Sequence, residues 1–322
     1  MDEKILQMLY AGEWISGESI SRELGVTRAA VAKRISNLRQ QGYVIDAVPR
    51  RGYHLVSAPE KLFGFEVSRK LKRDVNWHIE TFDELDSTNT YLRNRGDELP
   101  EYSVAIARRQ TGGLGRLGRE WYSPVDDALY MSLLLHPDLP PDRAQLLTLT
   151  SAVSVAEAIR EQGLECYIKW PNDILTPQRR KLVGIRCEMR ADLDRVYWLV
   201  VGIGVNVNNQ DFPPELSGVA SSLRLLNGGT PLELSDVAAA ILDRFADNYR
   251  LLCEDRFDLI RQNWTNMALA INEEASISGL QGKETGIVRG LDEEGYLLLE
   301  QNGRLNRVLA GDMVIAHQEQ SL

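Results

Sequence analysis

The chain has 322 residues, 43% of them hydrophobic and 26% charged, with a formal net charge of -9. This length points to two or three domains, and the composition is that of a soluble globular protein. No apolar run approaches the roughly 20 residues of a membrane span, and so acidic a chain is not a dedicated nucleic-acid binder as a whole.

The start, Met1-Asp2-Glu3-Lys4, is acidic and then helical in pattern, without the basic and apolar regions of a signal peptide. Cys166, Cys187 and Cys253 are far apart, with no CxxC or Cys/His cluster. The expectation is a cytoplasmic protein with buried structural thiols, and neither a zinc site nor a disulfide framework.

Within residues 2–11, Ile5, Leu6, Leu9 and Tyr10 recur at helical spacing. Ser16 or Ser19 can cap a second helix containing Ile20 and Leu24, and Gly25 suits the left-handed position that ends it. Thr27 can cap a third helix, whose Val31, Ile35 and Leu38 form an apolar stripe. From Thr27 to Arg51 stand Arg28, Lys33, Arg34, Arg39, Arg50 and Arg51 against the single acid Asp46. Two short strands between Tyr43 and Val56, around Pro49-Arg50-Arg51-Gly52, complete a winged helix-turn-helix. Its recognition helix would offer Arg28, Ala29, Ala30, Lys33 and Arg34 to a major groove, with Arg50 and Arg51 near phosphate at the wing. The plainer alternative is a three-helix packing module with a solvated basic face. Ser57-Ala58-Pro59-Glu60 looks like a linker, so residues 1–60 read as the DNA-binding domain.

Strands are expected at Trp77–Phe82, Ser103–Arg108, Leu129–His136, Tyr167–Trp170, Leu182–Met189 and Val196–Val205. Helices are expected at Thr88–Arg95, Arg143–Gln162 and Leu234–Leu252. Strands follow one another in places, so the pattern is α+β, a mixed sheet backed by helices, over residues 65–270.

Four polar or glycine-rich places in this region exceed what a fold alone needs. Asp86-Ser87-Thr88-Asn89 opens a helix and can bond a small polar ligand, though a plain cap reads the same way. The run from Arg108 to Trp121 (RRQTGGLGRLGREW) holds four glycines and four arginines, a loop able to wrap an anion or an ordinary mobile surface loop. It lacks the Walker lysine pattern and is not a P-loop. In Lys169-Trp170-Pro171-Asn172-Asp173, a lysine ends an apolar strand before a turn, and Lys169 and Asp173 can pair as a structural ion pair. Lys181 enters the strand KLVGI, and Gly202-Ile203-Gly204-Val205-Asn206 has glycines that permit close approach of a ligand.

From residue 271 to 322 the chain changes character. Short strands at Ala275–Ser278, Gly286–Leu291, Tyr296–Gln301, Leu305–Leu309 and Met313–Ala316 alternate with turn signals at Asp292–Gly295 and Asn302-Gly303. The spacing fits a small SH3-like barrel.

Taken together, the STN helix start, the glycine–arginine loop ending in Trp, KWPND, KLVGI and the GIGVN strand resemble the biotin–protein ligase family. The head resembles that of its bifunctional form, the biotin operon repressor. The resemblance covers nearly the whole chain, and KWPND followed by KLVGI is its most specific part. It implies ATP-dependent formation of biotinyl-5′-AMP, then transfer to a lysine of the biotin carboxyl carrier protein of acetyl-CoA carboxylase. ATP with Mg²⁺ is the implied cofactor, and operator DNA and a liganded homodimer are implied partners, with no membrane. Position by position, Ser87, Thr88, Asn89 and Gln110 would hold biotin, and Leu114, Gly115 and Arg116 would close over it. Lys181 and Arg116 would stabilise the reacting charges. Arg116, Arg119, Trp121, Lys169, Asn172 and Asn206 would line the nucleotide, and Asp173 its metal. The family loop often carries arginine where this chain has Leu114 and Leu117, so the loop is less cationic here. Two other readings remain open: a transcription factor that only senses a small molecule, and a lipoate ligase, to whose loop RQTGG bears a passing likeness.

Overall fold

The computed structural model describes residues 1–59, 64–124, 126–279 and 282–315. Glu60 of the expected linker and Ala316 of the last expected strand lie outside these residues. The chain forms two compact units, Met1–Lys61 and Leu62–Leu322.

In the first unit, helices α1 (Asp2–Tyr10), α2 (Gly17–Leu24) and α3 (Arg28–Gln40) precede strands β1 (Val44–Val48) and β2 (Gly52–Ser57). Ile5, Leu6, Leu9, Ile20, Val31, Ile35 and Leu38 are all buried, so the helical stripes face one another as a core. The Ser16 hydroxyl accepts the Ser19 amide at 3.0 Å, and Thr27 accepts that of Ala30 at 3.2 Å. Each satisfies an amide that the helix start leaves open. Gly25 ends α2 at φ 65°, the left-handed conformation in which glycine meets no side-chain penalty. The β1–β2 hairpin is antiparallel, and Ile15 pairs with Tyr53. Glycine is required at 52, since a Cβ there would lie 2.1 Å from the Ile15 carbonyl oxygen. This is a winged helix-turn-helix.

The second unit runs α4 (Gly64–Ser68), β3 (His78–Phe82), α5 (Thr88–Asn94), β4 (Ser103–Ala107), β5 (Ala128–Leu135), α6 (Gln145–Glu161), β6 (Tyr167–Lys169), β7 (Asp173–Leu175), β8 (Lys181–Ala191) and β9 (Val196–Asn206). Helices α7 (Leu223–Leu226), α8 (Leu234–Cys253) and α9 (Phe257–Met267) follow, then strands β10 (Glu274–Gly279), β11 (Gly282–Leu291), β12 (Leu297–Gln301), β13 (Arg304–Val308) and β14 (Asp312–Ile315). The first seven of these strands form one sheet in the order β3-β4-β5-β9-β8-β7-β6, with β3–β4 its parallel pair and the others antiparallel. Strands β10 to β14 form a separate antiparallel sheet, order β13-β12-β11-β10-β14, the SH3-like C-terminal element. The whole is α+β, as the consecutive strands of the sequence imply.

The seven-stranded sheet is covered on both faces. Alternate residues Leu129, Met131, Leu133 of β5 and Val201, Ile203, Val205 of β9 join the main core with α6, α8 and α9. The other face packs Ala105, Leu134, Trp198 and Val200 against Leu92 of α5. Beyond α5 on this second face, the side chains become polar or vanish.

Among the described residues, strand β7 and helices α4, α7 and α9 go beyond the sequence expectations. The residues after Pro171 do not only turn: Asp173–Leu175 pairs back on β6 with Lys169 opposite Asp173. Helix α9 lays Phe257, Ile260, Trp264 and Met267 into the core. The expectation of three buried thiols also fails. Cys166 is buried, but Cys187 is partly accessible and Cys253, the last residue of α8, is exposed where the helix leaves the core.

Candidate active site

The site begins with missing side chains. Gly202 of β9 stands between Ser132 of β5 and Arg186 of β8, and Gly204 stands between Tyr130 and Gly184. A Cβ at Gly202 would lie 2.1 Å from Asn89 Oδ1. One at Gly184 or Gly204 would lie 2.7 Å from the Trp121 ring. The glycines that seemed made for close approach of a ligand thus admit two of the chain's own side chains. Asn89 and Trp121 rest on the bare sheet because strand periodicity places Gly184, Gly202 and Gly204 on one face.

At one end of this floor lies a buried polar group. Ser87 caps α5, its hydroxyl accepting the Thr90 amide at 3.4 Å. The Thr88 amide and hydroxyl donate to Gln110 Oε1 at 2.8 and 3.1 Å. Thr88 and Ser132 share a hydroxyl contact of 2.7 Å, and Ser132 donates to Asn89 Oδ1 at 2.6 Å. Asn89 Nδ2 donates to Glu188 Oε1 at 3.0 Å. Ser87, Thr88 and Asn89 are buried. Hydroxyls and amides in such a chain offer both donors and acceptors, which suits a neutral ligand with its own amide-like groups. Ser132 and Glu188 belong to this group, although neither carries a local sequence signal.

The glycine–arginine loop folds as a narrow hairpin over the same face. Trp121 N donates to Gly113 O at 2.9 Å, and Gly115 N to Arg119 O at 2.7 Å. At the tip Leu117 has φ 56°, a left-handed conformation uncommon outside glycine, and is 78% exposed. Leu114 and Gly115 lie on the incoming arm. Arg186 Nη1 donates to Gly115 O at 3.1 Å.

Two neighbouring residues gather the cations. Asn172 Oδ1 accepts from Arg116 Nη1 at 3.3 Å, while Asp173 Oδ1 lies 2.7 Å from Lys181 Nζ. Asn172 is itself fixed, with Nδ2 donating to Ile185 O at 2.7 Å. Lys181 Nζ also lies 5.4 Å from the centre of the Trp121 ring, so Arg116, Lys181 and Trp121 meet around the Asn172-Asp173 turn. Arg116 additionally donates to Gly311 O at 3.2 Å and sits 3.3 Å from Asp312, and Arg119 pairs with Asp312 at 2.7 Å. The C-terminal sheet therefore supplies a carboxylate to the loop. A cavity of about 170 Å³ opens beside Arg116, lined also by Trp170, Asn172, Thr148, Cys187 and Leu309. Asn206 is tied into the scaffold, its amide donating to Lys181 O and Ser221 O at 3.3 and 3.0 Å.

Lys169 does not form the ion pair with Asp173 that its spacing permits; the Asp173 carboxylate pairs with Lys181 instead. Among the described residues, its ammonium has no hydrogen-bond or ion-pair partner, and burial pushes its pKa below the ordinary lysine value. An amine left so is ready for an incoming anion. Among the described residues, no three His, Cys, Asp or Glu side chains are grouped to hold a metal.

In the first unit, Arg28, Ala29 and Lys33 share the exposed face of α3, and Arg50 and Arg51 are exposed in the turn of the hairpin. Ala30 is half-buried. Arg34 is placed differently from the expectation. It turns to α1, its Nη1 3.2 Å from Asp2, because its position on the helix borders the buried stripe. Arg39 donates to Ile45 O at 2.9 Å. The Arg51 guanidinium lies 4.5 Å from the Trp14 ring centre, and Trp14 stacks on His54.

Known proteins give this geometry a context. Residues 81–206 match the model of the biotin/lipoate A/B protein ligase family, residues 2–54 an HTH domain, and residues 272–315 the biotin protein ligase C-terminal domain. The chain is 40% identical to the bifunctional ligase/repressor BirA of Bacillus subtilis over 94% of both chains. It is 30% identical to that of Escherichia coli over 98% of this chain and 97% of the other. The biotin protein ligase of Aquifex aeolicus in complex with biotin and ATP superposes with a TM-score of 0.66 at 30% identity, covering 74% of this chain and 98% of that one. With a winged helix-turn-helix, a ligase core and a C-terminal sheet in one polypeptide, the chain belongs to the family of bifunctional biotin–protein ligase/repressors.

Proposed function

We propose that the ligase reaction takes place on the glycine floor, with biotin's ring held by Ser87, Thr88, Asn89 and Gln110 and its carboxylate turned toward Lys181. A carboxylate oxygen attacks the α-phosphorus of ATP; the bond to the β-phosphate oxygen breaks, giving biotinyl-5′-AMP and pyrophosphate. The acceptor lysine's amine then attacks the acyl carbon, AMP leaves with the bonding electron pair, and the amine loses a proton. The first step brings two anions together and the second expels AMP as an anion, so fixed cations do the catalytic work. Lys181 stabilises charge on the carboxylate and α-phosphate, and Arg116 closes over the phosphate with Leu114 and Gly115. Arg119, Trp121, Lys169, Asn172 and Asn206 line the nucleotide side. The observation that carries this reading is the turn at Asn172-Asp173, which gathers Arg116 and Lys181 against Trp121.

ATP would bring a magnesium ion with it. Asp173 is the carboxylate that would face such an ion, beside Lys181. When bound, such an ion neutralises the departing pyrophosphate.

The repressor half uses Arg28, Ala29 and Lys33 of α3 for base and phosphate contacts, and Arg50 and Arg51 of the wing for phosphate. Arg34 holds α1 and contributes to the surface only indirectly. Biotinyl-5′-AMP acts as corepressor of biotin synthesis, retained when its acceptor, the biotin carboxyl carrier protein of acetyl-CoA carboxylase, is scarce. The liganded chain pairs as a homodimer on a two-half-site operator, and Leu114 and Leu117, 49% and 78% exposed, supply apolar surface beside the ligand. Residues 1–60, 65–270 and 271–322 serve as the DNA-binding, catalytic and C-terminal domains. The setting is the cytoplasm; among the described residues no helix is long and apolar enough to cross a membrane.

Incubation with ATP, labelled biotin and an acceptor domain tests the ligase half: label on the acceptor supports it, and none overturns it in favour of a sensor without ligase activity. Operator affinity at fixed salt tests the other half. It rises with biotin plus ATP, and equal affinity without them removes the regulatory role.

A further inference from the structure

Arg186 has no part in the roles assigned above, yet it occupies the centre of the site face. It stands opposite Gly202, the residue whose bareness admits Asn89, and two residues along β8 from Gly184, over which Trp121 lies. Its guanidinium makes two contacts in different directions. Nη1 donates to the Gly115 carbonyl of the loop at 3.1 Å, and Nε lies 3.3 Å from Glu188 Oε1. That same carboxylate oxygen accepts from Asn89 Nδ2 at 3.0 Å. The second oxygen of Glu188 accepts from Arg93 at 3.0 Å, which keeps the carboxylate in place.

We infer that Arg186 is a positioning residue that couples occupation of the biotin-ring pocket to closure of the glycine–arginine loop. The inference rests on the reading of Asn89 as a biotin contact. A ligand that takes a hydrogen bond from Asn89 competes with Glu188 for that amide. Glu188 is then freer to bond the Arg186 fork, and the fork is held more firmly on the Gly115 carbonyl. The planar guanidinium suits this because it serves both directions from one rigid group, which a lysine does not. The loop carries apolar Leu114 and Leu117 on either side of Gly115, and the cation that holds its backbone there comes from the sheet.

The test uses the full chain and tryptic cleavage after Arg119, followed by mass spectrometry, with biotin alone as the ligand. Calorimetry of biotin binding and thermal melting accompany each variant. In the wild-type protein, biotin slows cleavage by about 10-fold, in the usual range of coupling between sites. In R186L the loop is cut faster without ligand, melting is little changed, and biotin binds in the calorimeter without slowing cleavage. R186K, which reaches the Gly115 carbonyl or Glu188 but not both, gives partial protection. An R186L protein that binds biotin and is protected by the wild-type factor overturns the coupling alone. A wild-type protein that gives no heat with biotin overturns the ring-pocket reading and the coupling with it.

Discussion

The ammonium of Lys181 lies 2.7 Å from the carboxylate of Asp173, and both belong to motifs that flank a single turn of the sheet. In the proposed reaction, Asp173 neutralises the Lys181 cation until substrate arrives. An arriving carboxylate or phosphate takes over that role, so the pair holds Lys181 in place at low cost until then. Replacing Lys181 by Met lowers the rate of adenylate formation by about 10²- to 10³-fold, the usual effect of removing one preorganised charge stabiliser. Asp173→Asn leaves the cation in place but less well held, and has the smaller effect. Single-turnover formation of biotinyl-5′-AMP measures both.

Gly202→Ala tests the floor. The new methyl group would meet Asn89 Oδ1 at 2.1 Å, too close for either atom to remain. Asn89 is driven off the sheet and its bonds to Ser132 and Glu188 are lost. The KM for biotin rises by about 10-fold or more, equivalent to about 1.4 kcal/mol, while the KM for ATP changes little. Steady-state kinetics with each substrate varied separately checks this.

Lys169→Met gives opposite effects on stability and function. Burial holds the folded pKa of Lys169 below its unfolded value, so the charged form is disfavoured in the fold. Below the folded pKa this costs stability, and the cost fades as pH rises from the folded toward the unfolded pKa. Denaturant unfolding at neutral pH therefore finds K169M more stable by about 0.5–2 kcal/mol, with the gap narrowing in alkaline solution. ATP binding weakens in the same variant, because a cation of the proposed nucleotide side is gone.

The basic residues of the head separate by salt dependence. Loss of a phosphate contact from Lys33→Ala or Arg50→Ala lowers the slope of log affinity against log salt by about 0.9 each. Arg34→Ala leaves the slope unchanged and costs at most about 1 kcal/mol of stability, since it removes a surface pair with Asp2. Filter binding over a salt series distinguishes the two groups.

Much of this was legible in the sequence where the signal is local. The Val31, Ile35, Leu38 stripe and Gly25 mark the helix-turn-helix because helical period and left-handed backbone are properties of neighbouring residues. The apolar runs of β5 and β9 mark strands of the sheet for the same reason. The contacts that assemble the site are of another kind. Asp312 meets Arg116 and Arg119 across more than 190 positions, and Arg186 meets Gly115 across 71. No period or spacing announces such partners. Lys169 and Asp173 face each other across a hairpin, and only Lys181 arriving from β8 decides which lysine the carboxylate holds. Likewise, Gly202 and Gly204 announce close approach by their type, but not that Asn89 and Trp121 fill the space.

The central claim is that the cations gathered at the Asn172-Asp173 turn activate biotin's carboxylate on ATP. Exchange of labelled pyrophosphate into ATP measures that step without acceptor or DNA. The account predicts exchange that requires biotin, is not supported by lipoate, and is lost in Lys181→Met. No exchange with biotin, equal exchange with lipoate, or undiminished exchange in the Lys181 variant would contradict it.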